Sequence, residues 1–311
     1  MSQLLNISSD LLVILGPTAT GKTQLAVQLA DKLNGEIISA DSRQIYKRMD
    51  IGTGKDLDDY ELDNKIIPYH LINIADPTEN YSVASFQKDF QRVFTGISKY
   101  NKLPILCGGT GFYIKAVLMD FQLSTAEPNK KLRQKLEKSS LQQLIQTLES
   151  ISPGISKVKP IDTKRRVIRA IEVETENMGT KTQNAKFQIR QYAINNSLVI
   201  GIDYTREVIR ERITKRLHKR LKNGMIEEVE SLLMLGVTHE RLERFGLEYR
   251  FISRYLKKLT TKDEMTTQLN TAIHRFAKKQ MTFFRNMEKN GININWIPEG
   301  NFESALKVII E

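Results

Sequence analysis

Cysteine is almost absent from this sequence, since Cys107 is the only one among 311 residues. A single cysteine excludes an intramolecular disulfide and a cysteine-based zinc site, and it fits a reducing compartment. Long apolar runs are also missing: Leu11–Leu15 and Leu198–Ile202 are far shorter than the roughly 20 residues that span a membrane. No basic start followed by a long apolar region marks a secretory signal. We therefore expect a cytoplasmic protein with no membrane association.

Acidic residues are the other deficit. There are 36 Asp and Glu against 47 Lys and Arg, which gives a net charge of +11. Such an excess favours a polyanionic partner such as nucleic acid. The 40% hydrophobic and 27% charged content is typical of a soluble globular protein and excludes disorder as the main state. At roughly 150 residues per domain, the length predicts one large or two smaller domains.

Short apolar runs alternate with helical patterns through the first part of the chain. This alternation predicts an α/β fold with a parallel sheet. The predicted strands are Leu11–Leu15, Glu36–Asp41, Tyr69–Ile74, Leu103–Cys107, Ser197–Asp203 and Ile292–Ile297, and the predicted helices include Lys22–Leu33, Ser82–Tyr100 and Phe112–Met119.

From Phe121 onward, the amino-acid composition becomes strongly helical. We expect residues 1–120 to form the first part of an α/β core and residues 121–192 to form an inserted all-helical domain. Residues 193–311 would complete the core and be mostly helical. The run from Arg206 to Lys222 carries eight basic residues, and such clustering favours a phosphate-binding surface over a merely solvated helix face.

A phosphate-binding loop follows the first strand. Its residues match G-x-x-x-x-G-K-[ST] between an apolar strand and a helix, the context that the motif requires. Backbone N–H groups and the helix N-terminus would cradle a diphosphate or nucleotide such as ATP. Lys22 could reach a terminal phosphate, and the Thr23 hydroxyl could ligate Mg²⁺. The motif residues are Gly16, Pro17, Thr18, Ala19, Thr20, Gly21, Lys22 and Thr23.

The loop alone leaves several reactions open. An ATPase also needs a carboxylate at the end of a core strand to hold Mg²⁺. The strand that ends at Cys107 runs into Gly108-Gly109-Thr110 and offers none, whereas Asp41 follows another strand. A kinase, an NTPase and a diphosphate-releasing transferase all remain possible at this stage.

Several further blocks, in order along the chain, resemble one family, the tRNA dimethylallyltransferases or IPP transferases. These blocks are Ile38–Lys55, His70–Pro77, Tyr81–Phe86, Gly108–Ile114, Arg166–Glu172 and Lys279–Arg285. The resemblance implies a P-loop core with an inserted helical domain. It also implies transfer of a dimethylallyl group from dimethylallyl diphosphate to the exocyclic amine of the adenosine 3′ to the anticodon. The substrates would be tRNAs that read UNN codons, with Mg²⁺ as cofactor and diphosphate as product.

The resemblance also assigns roles to residues. Asp41 matches the general base, with a helix cap or an outer magnesium ligand as the competing interpretations. Arg216 matches a diphosphate-binding arginine, with Arg212 as the alternative, and Thr110 matches a residue that contacts RNA near the reacting base. Asp41, Thr110 and Arg216 are thus the catalytic candidates. Together with Asp41 and Thr110, the positions that match tRNA contacts are Ser42, Arg43, Gln44, Arg165, Arg166, Arg169, Tyr249 and Arg250.

The sequence departs from the family pattern in places, and three competing functions remain. Glu248 stands where the family has glycine, and a carboxylate near RNA phosphate would be repulsive. Phe283 replaces a common tryptophan, and the aromatic residues Phe283, Phe284 and Trp296 are expected in the core. One cysteine cannot form a zinc finger like that of eukaryotic relatives, so a bacterial-type enzyme is expected. A monomer is also expected. An adenylate dimethylallyltransferase, a P-loop kinase or NTPase, and an inactive RNA-binding protein are the alternatives.

Overall fold

A computed structural model describes residues 9–121, 129–155, 161–179, 194 and 196–311. The chain separates into two compact units. One combines Met1–Phe121 with Tyr192–Glu311, and the other is Gln122–Gln191. The described helices and strands of each unit are considered separately below.

The first unit is built on a six-stranded sheet in which every neighbouring pair is parallel. Its spatial order is β5-β2-β6-β1-β7-β8, and a small hairpin of β3 and β4 stands apart from it. This arrangement confirms the predicted α/β class with a parallel core. The strands are β1 (Leu11–Leu15), β2 (Gly35–Ser39), β3 (Glu61–Leu62), β4 (Lys65–Ile66), β5 (Tyr69–His70), β6 (Leu103–Gly108), β7 (Ser197–Asp203) and β8 (Asn295–Pro298).

Helices cover both faces of this sheet, as a buried parallel sheet requires. They are α1 (Lys22–Lys32), α2 (Val83–Lys99), α3 (Gly111–Leu118), α7 (Arg206–Lys222), α8 (Met225–Met234), α9 (His239–Phe245), α10 (Leu247–Leu256), α11 (Lys262–Lys289) and α12 (Phe302–Ile310).

Alternate side chains of β1 enter two different hydrophobic cores. Leu12 and Ile14 pack with residues of α1 and α12, whereas Leu11, Val13 and Leu15 pack with residues of α2, α3 and α7–α11. Successive side chains of a strand point to opposite faces, so a continuous apolar run serves both cores. All five side chains are buried.

Two strand predictions needed correction. The run Tyr69–Ile74 is a strand only at Tyr69–His70, because Leu71 and Asn73 have φ angles of 62° and 56°, which end an extended conformation. The predicted last strand begins three residues later, at Asn295, and the helix α12 behind it was not predicted. The side chain of Asn301 accepts a hydrogen bond from the backbone N–H of Ser304 and caps that helix.

The described part of the second unit contains helices and turns but no strands. Its helices are α4 (Lys130–Leu136), α5 (Leu141–Ile151) and α6 (Lys164–Gly179). Leu144 and Leu148 pack against Val167 and Ile171 in a core of its own. In neither unit do the described residues include a helix long and apolar enough to cross a membrane.

The segment 50–54 of the first unit is held by a single carboxylate from α8. Oε2 of Glu228 accepts hydrogen bonds from the backbone N–H groups of Asp50 and Ile51, at 2.7 and 2.6 Å. Oε1 accepts from the N–H of Gly52 at 3.0 Å and from the Tyr249 hydroxyl at 2.8 Å. A charged acceptor with four donors is a strong anchor for a segment without regular structure.

We expect Glu228→Ala to lower the free energy of unfolding by about 3 kcal/mol, because it leaves several donors without their charged acceptor. The melting temperature should fall by roughly 5–10 °C. Thermal unfolding followed by circular dichroism measures this. Glu230→Ala, at an exposed position of the same helix, is the matched control. Equal melting temperatures for the two variants would contradict the anchoring role.

Candidate active site

Loops at the carboxyl ends of three adjacent strands meet in one cavity of about 840 Å³. The phosphate loop follows β1, the segment 40–44 follows β2, and the turn 108–111 follows β6. Helices α7, α10 and α11 supply further walls, together with residues of the segment 52–60. In open parallel sheets this edge is where ligands bind.

The phosphate loop has the predicted position between β1 and α1. Gly21 precedes the helix with a φ of 77°, and the Thr20 hydroxyl donates to the carbonyl oxygen of Pro17 at 2.9 Å. Nζ of Lys22 donates to the same carbonyl at 2.7 Å. Burial lowers the pKa of Lys22 to about 8, and the positive charge of Arg216 adds to this shift. Its hydrogen bond to Pro17 holds the lysine on its own loop.

Asp41 lies two residues beyond β2 and lines the cavity. One carboxylate oxygen, Oδ1, accepts a hydrogen bond from the backbone N–H of Arg43 at 2.8 Å. This bond closes a local turn and fixes the direction of the carboxylate. Asp41 and Lys22 of the phosphate loop line the same cavity.

Thr110 and Ser42 hold two of these loops together. The Thr110 hydroxyl accepts from the backbone N–H of Ser42 at 3.0 Å and lies 3.3 Å from the Ser42 hydroxyl. Gln44 was expected among the tRNA contacts. Its amide instead accepts from the Ser39 hydroxyl at 3.2 Å and donates to the carbonyl of Gly54 at 3.1 Å. The structure therefore gives Gln44 bonds within the protein.

One face of α7 forms a basic wall of the cavity. Five basic residues spaced three, four, seven and eight positions apart line it, so the run is not simply a solvated helix face. Nη2 of Arg216 donates to the Thr18 hydroxyl of the phosphate loop. Burial lowers the pKa of Arg216 to about 10, so it stays charged at neutral pH. The five are Arg212, Lys215, Arg216, Lys219 and Arg220.

The alternative arginine, Arg212, is held differently. Its Nη1 donates to the Tyr204 hydroxyl at 2.6 Å, and its guanidinium lies 4.8 Å from the centre of that ring. Arg212 thus reaches the cavity with one face on an aromatic ring. Only Arg216 has a hydrogen bond to the phosphate loop among the described contacts of these two residues.

Glu248 lines the same cavity and was the main departure from the family pattern. It also shares a small adjoining cavity with Arg216 and Arg220. Burial raises its pKa, while the two arginines act to lower it. The charged neighbours of this carboxylate include the cations Arg216 and Arg220 of α7.

Two predicted tRNA contacts, Tyr249 and Arg250, have hydrogen-bond partners within the protein. Tyr249 is only 1% exposed, and its hydroxyl donates to Glu228. Arg250 donates from Nε and Nη2 to the carbonyl oxygen of Glu243, at 3.1 and 3.0 Å. Tyr249 nevertheless lines the cavity, so this block stays a prediction for RNA contact.

The basic residues of α6 differ in availability. Arg166 pairs with Asp162 through two contacts, at 2.6 and 2.8 Å. Arg169 lies 3.4 Å from the buried carboxylate of Glu172, which also binds Arg133. Arg165 is exposed, and it is the residue of the predicted trio that is best placed to meet a phosphate in solution.

The sequence-based site left out several cavity residues on α11. Gln280, Phe276 and Phe283 line the cavity from one face of this helix. Phe283 was expected in the core together with Phe284, and only Phe284 is fully buried. The signal available in the sequence was the family block that begins at Lys279, which carried no assigned role.

Comparisons with known proteins agree with this geometry. The family model for IPP transferase matches residues 44–287, and that for isopentenyl transferase matches residues 9–69. A tRNA dimethylallyltransferase of Bacteroides fragilis is 48% identical over 93% of this chain and 92% of its own length. One of Parabacteroides distasonis is 49% identical over the same shares.

Two solved structures of tRNA isopentenylpyrophosphate transferases are also similar to this chain. The tRNA isopentenylpyrophosphate transferase of Bacillus halodurans superimposes with a TM-score of 0.67 at 32% identity, covering 96% of this chain and 94% of its own. The enzyme of Staphylococcus epidermidis gives a TM-score of 0.63 at 30% identity. The cavity brings together the phosphate loop, the carboxylate of Asp41 and the basic wall. The family models and the similar relatives show that the chain belongs to the tRNA dimethylallyltransferase (IPP transferase) family.

Proposed function

We propose that this protein transfers a dimethylallyl group from dimethylallyl diphosphate to the exocyclic amine of the adenosine 3′ to the anticodon, in tRNAs that read UNN codons. The observation that carries the proposal is the cavity, which holds an anion-binding loop, a carboxylate and a row of cations together. The family membership supports the same reaction. We also propose that it acts as a monomer in the cytoplasm, where a chain with a single cysteine fits a reducing compartment.

The diphosphate of the donor would bind at the phosphate loop. Backbone N–H groups at the start of α1 are suited to an anion, since the helix dipole is positive there. Lys22 would exchange its bond to the Pro17 carbonyl for a phosphate oxygen. Arg216 would do the same with its bond to Thr18, and its planar guanidinium can bind two phosphate oxygens at once.

Transfer then requires one bond to form and one to break. The amine nitrogen of the adenosine attacks the allylic carbon, and the carbon–oxygen bond to diphosphate breaks with its electron pair leaving on oxygen. Asp41 takes the proton that the amine gives up. The cations of the loop and of α7 stabilise the charge that develops on the leaving group.

A Mg²⁺ ion fits this site mainly as a partner of the diphosphate, with few ligands from the protein. Among the described residues there is no cluster of three or more side chains able to hold a metal. Mg²⁺ commonly uses few protein ligands and completes its shell with phosphate and water. Thr23 would be its protein ligand, and the ion would neutralise charge on the leaving diphosphate.

The target adenosine must leave the base stack of the anticodon arm before Asp41 can reach its amine. The basic wall of α7 and the segment 42–44 are the parts of the cavity suited to RNA, and Thr110 lies beside them. In the helical unit, the exposed Arg165 is suited to a phosphate of the same RNA, together with Arg166 and Arg169 where their present partners release them.

We expect label from dimethylallyl diphosphate to enter unmodified UNN-reading tRNA and not AMP or ADP. Asp41→Asn should lower the transfer rate by roughly 100-fold or more, because an amide cannot take the proton. The asparagine keeps an oxygen acceptor for the N–H of Arg43, so the loop is preserved. Single-turnover transfer measures both effects.

Asp58→Asn is the matched control, since Asp58 is an exposed carboxylate outside the cavity lining. Transfer to AMP or ADP alone would instead identify an adenylate dimethylallyltransferase. No transfer to any acceptor, with turnover of ATP, would identify an NTPase or kinase.

Chelation of divalent ions with EDTA should lower transfer by about 100-fold, and added Mg²⁺ should restore it. Thr23→Val should raise the Mg²⁺ concentration needed for half-maximal rate by about tenfold, because it keeps the shape but removes the hydroxyl. Thr23→Ser keeps the hydroxyl and should stay near the wild type. Equal Mg²⁺ requirements for all three proteins would remove Thr23 from the metal site.

Arg165→Ala should weaken tRNA binding and reduce the slope of log affinity against log salt by about one, as the loss of one phosphate contact predicts. Filter binding across a salt series measures the slope. Lys99→Ala, at an exposed position at the end of α2, is the control. An unchanged slope for Arg165→Ala would show that α6 makes no phosphate contact through this residue.

A further inference from the structure

Gln280 is a buried polar residue on the cavity face of α11, only 8% exposed. Its Oε1 accepts a hydrogen bond from the backbone N–H of Thr18 at 3.0 Å. Its Nε2 donates to the carbonyl oxygen of Gly109 at 2.8 Å. One side chain thus joins the phosphate loop to the turn that follows β6, across 262 and 171 residues of sequence.

A primary amide suits this place better than any similar side chain. The two loops present one donor and one acceptor, and an amide offers the complementary pair. A glutamate would place an acceptor against the Gly109 carbonyl, and a methionine of similar size would leave both backbone groups unpaired. Leaving a buried backbone group unpaired is unfavourable, because the group loses its hydrogen bond to water and gains none in the protein.

The turn is shaped to admit the amide. A Cβ atom at position 109 would lie 2.6 Å from Nε2 of Gln280, which is closer than non-bonded atoms approach. Glycine at 109 therefore does more than provide a flexible turn. Its missing side chain is the space in which the Gln280 amide reaches the backbone.

Further hydrogen bonds extend this connection at both ends. Beyond Gly109, the backbone N–H of Thr110 donates to the carbonyl of Ala40 at 3.1 Å, and the Thr110 hydroxyl accepts from Ser42. Both contacts flank Asp41 in the sequence. At the other end, the Thr18 hydroxyl accepts from Arg216. The hydrogen bonds thus run from the diphosphate side of the cavity to the segment that carries the carboxylate.

We propose that Gln280 is a positioning residue that sets the separation between the diphosphate site and the carboxylate of Asp41. This inference rests on the proposed function, because it concerns the geometry of the same transfer. Two reactants bound on different loops react fast only when the loops are held at the right distance, and a displacement of about 1 Å can cost about 100-fold in rate. The two hydrogen bonds of its amide go to the phosphate loop and to the turn after β6. It acts through the loops that carry them.

The test compares Gln280→Met and Gln280→Glu with Gln268→Met and Gln268→Glu. Gln268 lies on the same helix and is exposed, so it matches the chemistry of the change without the two bonds. Single-turnover transfer at saturating donor and tRNA, the Kd for tRNA and the melting temperature are measured for each protein. We expect a rate about 30- to 100-fold lower for both Gln280 variants, with the Kd for tRNA within twofold of wild type.

A merely structural role gives a different result. The melting temperature would then fall, and the rate per folded molecule would match that of the Gln268 variants, which would overturn the proposal. Gly109→Ala provides a second variant should the Gln280 variants fold poorly. It keeps the glutamine but displaces its amide. It should likewise lower the transfer rate and leave the Kd for tRNA within twofold of wild type. A wild-type rate for folded Gly109→Ala would also overturn the proposal.

Hydrogen exchange adds a local readout. In wild type the N–H of Thr18 is bonded to Gln280, so exchange in the segment 16–20 should be slow and should quicken in folded Gln280→Met. Unchanged exchange there would count against the link. The wild-type assay distinguishes the two proposals. Absence of transfer to tRNA in wild type rejects the proposed function. Transfer that Gln280→Met leaves unchanged rejects only the positioning role.

Discussion

Strand β6 pairs in parallel with β1 on one side and with β2 on the other, so that Cys107 lies opposite both Ile14 and Ser39. The three strands therefore end at nearly the same level. Each is followed at once by a loop that bears a functional group: the phosphate loop, the segment of Asp41 and the turn of Thr110. The site exists because this register brings residues nearly 100 positions apart in sequence to a common edge.

Hydrogen bonds among the loops turn that common edge into a defined geometry. Sheet register alone fixes where loops begin, but their tips can move. Thr110 ties its turn to Ser42, and Gln280 ties the same turn to Thr18. The result is a cavity whose anion-binding side and proton-accepting side are connected through the protein. Catalytic geometry needs such preorganisation, because the groups must be in place before the charge develops.

The elements that were predictable from the sequence share a strong local signal. Leu11–Leu15, the phosphate loop and the helix after it were readable because a buried strand, a motif and an apolar period coincide there. The short β5 was overestimated because its apolar run continues through residues with positive φ. The orientation of Tyr249, Arg250 and Glu248 was not predictable, since a block identifies a helix but not which neighbours its side chains meet. Gln280 was missed for the same reason: its two partners are remote in sequence.

Gly54 has a φ of 66°, and a Cβ atom there would lie 1.8 Å from Nη2 of Arg220 on α7. The guanidinium occupies the volume that a side chain would need, and it lies 3.8 Å from Asp56. The two positions are therefore not independent in evolution. A side chain at 54 would meet both a left-handed φ and the guanidinium, so it would need a smaller or displaced arginine and would still be strained. A smaller residue at 220 would be sterically neutral for the glycine, so a change at 220 can precede one at 54 but cannot depend on it.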